Sequence, residues 1–205
     1  MSWQRQPLIS QVTGPAVEPI SLSEAKLFLR VDHTSDDTLI VSMMASARQW
    51  VETYTRRALC TQTIDCHYAG WPVQYGPLVV PYAPLQSVTS ITYVDQDETT
   101  QTLPAASYVV RAQSGPRAGR GTIEIADGVT LPSLSTQPDR PVTVRAVCGY
   151  GSAPQVPDGI KSAIYLLLGD LYEQRQETLP NVAQSGAPQM SIARLLGPYR
   201  LLEAA

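Results

Sequence analysis

Phenylalanine occurs once in this 205-residue chain, histidine twice and cysteine three times. His33 and His67 have no ligand-spaced cysteine or histidine beside them, which excludes a zinc cluster of the usual spacing. Cys60, Cys66 and Cys148 are odd in number and far apart, so no disulfide framework is expected and a reducing cytoplasm is the default compartment. Charge is scarce as well. Only 16% of residues carry it, 15 basic against 18 acidic, for a net charge of -3. That balance excludes a sequence-reading nucleic-acid binder, which carries a basic face. It leaves room for a protein that surrounds a duplex and lets it slide, because phosphate attraction needs Lys or Arg. No apolar run is long enough to span a membrane, and MSWQRQPLIS lacks the apolar core of a signal peptide.

What is present is an ordinary apolar fraction, 43%, with ten tyrosines. A real core is therefore possible. Tyrosine brings a hydroxyl that needs a partner when buried, so a Tyr-rich, charge-poor chain suits protein interfaces as well as cores.

The stretch SLSEAKLFLRVDHTSDDTLIVSMMASARQWVETYTRRAL, residues 21–59, reads as two consecutive helices. Ser21 and Glu24 form a capping box for the first, and Leu22, Ala25, Leu27, Phe28 and Leu29 give it an apolar side. Thr34 or Ser35 caps the second, with Asp36 and Asp37 in its first turn at the positive end of the helix dipole. Leu39, Ile40, Met43, Met44, Ala47, Trp50, Val51 and Tyr54 fall on one face at 100° per residue. Arg48, Gln49, Glu52 and Arg56 fall on the other, with Glu52 and Arg56 as an i, i+4 pair.

Before these helices, residues 1–20 read as an extended arm, either free or packed on a neighbour. After them, residues 60–156 change texture. TQTIDCHYAG, PLVVPY, SVTSITYVD, SYVVRA, TIEIA and PVTVRAV are short β-branched runs between turn signals, the pattern of a small antiparallel sheet or sandwich. SGPRAGRG, residues 114–121, is a loop in which Arg117 and Arg120 meet glycines. It is either simply solvated or in contact with DNA phosphates or a neighbouring subunit. Gly149-Tyr150-Gly151 lacks the Lys-Ser or Lys-Thr of a phosphate loop and reads as a positive-φ turn out of the sheet.

Helical character returns over residues 157–175, with Pro157 at the first turn and Ile160, Ile164, Leu167, Leu168 and Leu171 as the main stripe. Tyr165 and Leu166 lie off that stripe, so the helix is either central or shared with a partner. Residues 176–205 read as a polar linker ending in a short helical turn at Ser191 to Leu196 and an apolar tail. Such a tail cannot easily reach its own core. It is either a docking peptide for another protein or a segment packed on its own subunit. The fold class is thus α+β: a helical core, residues 21–59 and 157–175, with an antiparallel β region inserted between its parts.

EPISLSEAKLFLRVDHTSDDTLIVSMMASARQWVETYTRRAL closely resembles the start of the head–tail connector (adaptor) proteins of long-tailed phages and gene transfer agents. The resemblance resumes at PLQSVTSITYVD and at VCGYGSAPQVPDGIKSAIYLLLGDLYEQR, and ends at ARLLGPYR. It implies a structural virion protein in the neck, assembled in the host cytoplasm, that forms a ring of about twelve copies under the portal and extends the DNA channel. The implied partners are the portal protein, the next neck or tail component (a stopper or tail terminator) and double-stranded DNA passing non-specifically. Carried onto this chain, portal contact falls to Arg194, Leu195, Leu196, Tyr199, Arg200, Leu201 and Leu202. Contact between subunits falls to Trp50, Tyr54, Tyr165 and Tyr172, and contact with the channel or a neighbour to Arg117 and Arg120. No catalytic residue, metal or cofactor is implied. The alternative is a β-rich module for carbohydrate or peptide, using Trp71, Tyr75 and Tyr82. An enzyme built on Asp65 and His67 ranks third.

Overall fold

The computed structural model describes residues 7–71, 76–173 and 190–201. The chain divides into two compact units. One joins Met1–Ala16 to Thr61–Tyr150, and the other joins Val17–Cys60 to Gly151–Ala205.

The first unit is antiparallel β. Its strands are β1 (Leu8–Thr13), β2 (Gln62–Tyr68), β3 (Leu78–Val79), β4 (Leu85–Val94), β5 (Thr100–Thr102), β6 (Tyr108–Arg111), β7 (Thr122–Ile125) and β8 (Val142–Cys148). A five-stranded sheet has the order β1-β2-β8-β4-β5, and a three-stranded sheet the order β3-β7-β6. β8 is central, and its alternation shows why. Val142, Val144, Ala146 and Cys148 are buried on one face, while Thr143, Arg145 and Val147 point the other way. Ile64, Cys66 and Tyr68 of β2 and Leu85 and Ile91 of β4 complete that core. The Tyr68 hydroxyl donates to the Val79 carbonyl at 2.9 Å, which gives the buried tyrosine its hydrogen-bond partner on β3.

All six runs expected to be strands are strands. Two further strands, β1 and β5, sit at the sheet edges. The arm of residues 1–20 contains β1, which pairs with β2 of the same chain from Leu8 opposite His67 to Thr13 opposite Thr63. Gly149 and Gly151 adopt φ of 125° and 118°, the positive-φ exit expected of that turn.

The second unit is helical: α1 (Leu22–Leu29), α2 (Asp37–Thr55), α3 (Asp158–Glu173) and α4 (Met190–Leu196), the last followed by a short 3-10 turn over Gly197–Tyr199. α1 opens with the Ser21–Glu24 capping box and closes on Arg30 in the left-handed region. Of its apolar side only Ala25 is buried, and Leu27 is 82% exposed. α2 starts one residue beyond the expected caps, with Asp36 at the N-cap. Its buried line is Ile40, Met44, Ala47, Val51 and Thr55. Leu39 is exposed and Trp50 and Tyr54 are half-buried, so the stripe is narrower than the sequence pattern implies. In α3, Ile160, Ala163, Ile164 and Leu168 are buried, and Leu171 is exposed.

The face of α2 opposite its apolar stripe is not uniformly exposed: Arg48 and Glu52 are buried. Arg48 reaches Glu18 and Glu52, each at 2.8 Å, and Glu52 also accepts the Leu59 N–H at 2.9 Å. Pairing makes the burial tolerable, and burial still pushes the Glu52 carboxyl upward from its usual range. Arg56 sits beyond the helix as its left-handed C-cap residue. Of the two alternatives for the tail, packing on its own subunit holds for α4, where Ile192 and Leu196 are fully buried.

Candidate functional site

The end of α2 and the C-terminal segment form one locality. Trp50 and Tyr54 are one helical turn apart and stack with ring centroids 5.1 Å apart and planes 7° from parallel. The Arg200 guanidinium lies 5.2 Å from the Tyr54 ring centroid, within cation–π range. Arg57, only 2% exposed, donates from Nε to the Tyr199 carbonyl at 2.6 Å. The Leu201 N–H donates to the Thr55 carbonyl at 3.1 Å, satisfying one of the carbonyls that a helix end leaves free. The Tyr199 ring packs over the start of α3, where a Cβ on Gly159 would come 3.0 Å from its hydroxyl oxygen.

The expected portal-contact residues therefore divide. Leu196 is buried in its own unit, Leu195, Tyr199 and Leu201 are half-buried, and Arg194 and Arg200 are exposed. Leu202 lies outside the described residues. Of the expected subunit-contact residues, Trp50 and Tyr54 belong to this locality. Tyr165 lies against α1, stacked on Phe28 at 5.2 Å, and the Tyr172 hydroxyl donates to Asp36 Oδ2 at 2.7 Å. Arg117 and Arg120 belong to the β unit, in the segment between β6 and β7.

Sequence reasoning missed Arg57 and the Glu18–Arg48–Glu52 cluster. Arginine and glutamate read as surface residues unless their partners are known. The i, i+4 spacing of Arg48 and Glu52 was the one signal available.

Elsewhere, reactive chemistry is tied down. Arg145 grips Asp65 with two bonds of 2.8 and 2.7 Å. The His67 ring nitrogens lie 3.0 Å from the hydroxyls of Ser10 and Thr143. The three thiols are buried, and burial pushes Cys60 up to about 11 and Cys66 and Cys148 up to about 12, so none is a thiolate at neutral pH. Trp71 is engaged within the β unit, donating to the Pro132 carbonyl at 2.9 Å with its ring edge-on to Tyr93. Tyr75, its proposed companion in a sugar platform, lies outside the described residues. Among the described residues no three His, Cys, Asp or Glu side chains gather to hold a metal ion, and no helix is long and apolar enough to cross a membrane.

What the geometry offers is surface. Leu27, Phe28, Leu39, Val41 and Leu171 of the helical unit are all exposed apolar side chains. A charge-poor chain that leaves such groups uncovered is suited to contact with other protein.

Residues 19–103 match the family model described as phage gp6-like head-tail connector protein. That stretch contains α1, α2 and β2 to β5. No curated protein matches the chain. Among solved structures, a chain in the neck of an empty GTA particle computed with C6 symmetry is similar at 22% identity and a TM-score of 0.76. A chain in the virion of a native gene transfer agent (GTA) particle is similar at 21% identity and a TM-score of 0.77. One in the neck of a native GTA particle computed with C12 symmetry is similar at 20% and 0.73. Each comparison covers 97% of both chains. At these identities the likeness is one of fold, and it extends over the whole α+β arrangement.

Proposed function

We propose that the chain is a head–tail connector: a structural neck protein that forms a ring beneath the portal, prolongs the DNA channel and offers the platform on which the tail is built. The observation that carries this reading is the connector-family match over residues 19–103, which holds the two N-terminal helices and the first part of the inserted sheet. The occurrence of the same fold in a neck computed with C12 symmetry supports a ring of about twelve copies.

The role requires no turnover. Each subunit contributes modest contacts, and cyclic symmetry multiplies them. Trp50, Tyr54, Tyr165 and Tyr172 are the proposed contacts between subunits, and the C-terminal segment is the proposed portal contact. Arg194 and Arg200 are its exposed members and Leu195, Tyr199 and Leu201 its half-buried ones. Leu196, being buried, seats the segment on its own subunit. DNA passes without being gripped, in keeping with a net charge of -3.

The test is removal of the chain from cells that produce the particle. The expected product is filled heads and free tails that do not join, counted by electron microscopy. Normal numbers of joined particles would contradict the proposal.

A further inference from the structure

The β unit carries opposite charge at its two ends. The ladder between β4 and β8 runs from Leu85 opposite Cys148 to Tyr93 opposite Val142. At the Leu85 end sits the segment 114–121. The Tyr150 hydroxyl donates to the Pro116 carbonyl at 2.8 Å, and the Val80 N–H donates to the Gly121 carbonyl at 2.9 Å. A Cβ on Gly121 would strike the Leu85 side chain, so the segment lies close against the start of β4. It brings Arg117 and Arg120 there, with no acidic residue between positions 112 and 121. Arg111, just before it, is matched by Glu124 at 3.0 Å. Arg120 Nε is, among the described residues, the one buried side-chain nitrogen or oxygen with no hydrogen-bond partner. Arg120 as a whole is half-buried and Arg117 is exposed, so both carry their charge at this end of the sheet.

At the other end β4 runs directly into an acidic turn, closed by the Asp95 N–H donating to the Thr99 carbonyl at 3.0 Å. The Asp95 carboxylate is consumed by the turn itself, accepting from the N–H groups of Asp97 and Thr99 and from Gln101 Nε2. Those bonds hold its carboxyl below the usual carboxylate range. Asp97 and Glu98 are exposed at the tip. Asp139 and Arg140, just before β8 at this same end, offset each other in charge. The ten residues of β4 separate the two charged ends by roughly 30 Å.

We propose that Asp97 and Glu98 of one copy dock on Arg117 and Arg120 of the next, a head-to-tail contact between β units. The occupant is a second copy of this chain, because the chain carries both halves of the complementary pair on opposite ends of one sheet. A contact of this kind is heterologous: repeated with a rotation that divides a full turn it closes into a ring, and otherwise it runs on as a filament. Closure into the neck ring rests on the connector reading. The contact itself does not. Exposed ion pairs are individually weak, so the contact sets register and direction, and ring closure makes it durable.

The test uses four full-length chains: the natural one, D97R/E98R, R117E/R120E, and the chain with all four substitutions. Sedimentation velocity over rising protein concentration is run at about 20 mM and about 0.5 M salt, below and above effective screening. At low salt the natural chain and the fourfold variant should associate beyond dimers. Each double variant should need at least about tenfold more protein to do so, and an equal mixture of the two doubles should recover. High salt should abolish all differences. Identical behaviour of the four chains, failure of the mixture and the fourfold chain to recover, or association that stops at a two-fold dimer would overturn the proposal. Binding of the natural chain to isolated portal rings, measured in parallel, separates the two claims. Portal binding without the charge-swap pattern retires only the head-to-tail contact. The pattern without portal binding retires only the connector reading.

Discussion

Arg57 and Tyr199, 142 residues apart in sequence, are joined by a 2.6 Å hydrogen bond from guanidinium Nε to backbone carbonyl. The bond fixes the C-terminal segment to the end of α2, where the Leu201 N–H also meets the Thr55 carbonyl. Replacing Arg57 with Met keeps the aliphatic stem and removes the donor. The expected cost is about 1–3 kcal/mol, concentrated in α4. Hydrogen exchange should show α4 amides losing protection while those of β2 and β8 keep theirs. Uniform loss across both units would count against a local role for this bond.

The cluster of half-buried Glu18 with buried Arg48 and Glu52 makes a sharper prediction. Arg48→Ala leaves Glu52 buried without its cation, and unfolding in urea should show a loss of about 3–5 kcal/mol. The double variant R48A/E52A should lose less than the sum of the two single losses, because it no longer buries an unmatched charge. Strict additivity would mean that the two side chains act independently.

The thiols set an alkaline limit on stability. Cys60, Cys66 and Cys148 have folded-state values raised by burial, to about 11, 12 and 12. A raised folded value means that the stabilising contribution is complete below the ordinary thiol value of about 8.5 and is lost as pH rises through the folded values. The urea midpoint should fall from about pH 8.5 upward, and less so in a chain with all three cysteines replaced by alanine. A disulfide-exchange reagent at pH 8 should label none of the three until the chain unfolds. Fast labelling of the native protein would contradict the buried placement.

These features differ in how openly the sequence displays them. The Ser21–Glu24 box, the stripe of α2 and six strands were legible because capping and hydrophobic period are local signals. β1 and β5 were not. An edge strand with nearly every residue exposed, such as LISQVT or TQT, has no inward face to impose alternation. The burial of Arg48 and Glu52 was not legible, because a pattern of apolar and polar residues does not say which charges find partners inside. The seat of α4 was illegible because it depends on Arg57 and Gly159, residues far away in the chain. Of the expected contact residues, the pairing of Trp50 with Tyr54 follows from helical spacing, whereas the pairing of Tyr165 with Phe28 needs α1 and α3 brought together.

The central claim is that this chain joins a portal, and co-sedimentation with the cognate portal ring tests it most directly. The full-length chain should pellet with the ring at about one copy per portal subunit, as a twelve-fold neck requires. A chain that stays in the supernatant at every concentration, with an intact portal ring in the pellet, would contradict the account.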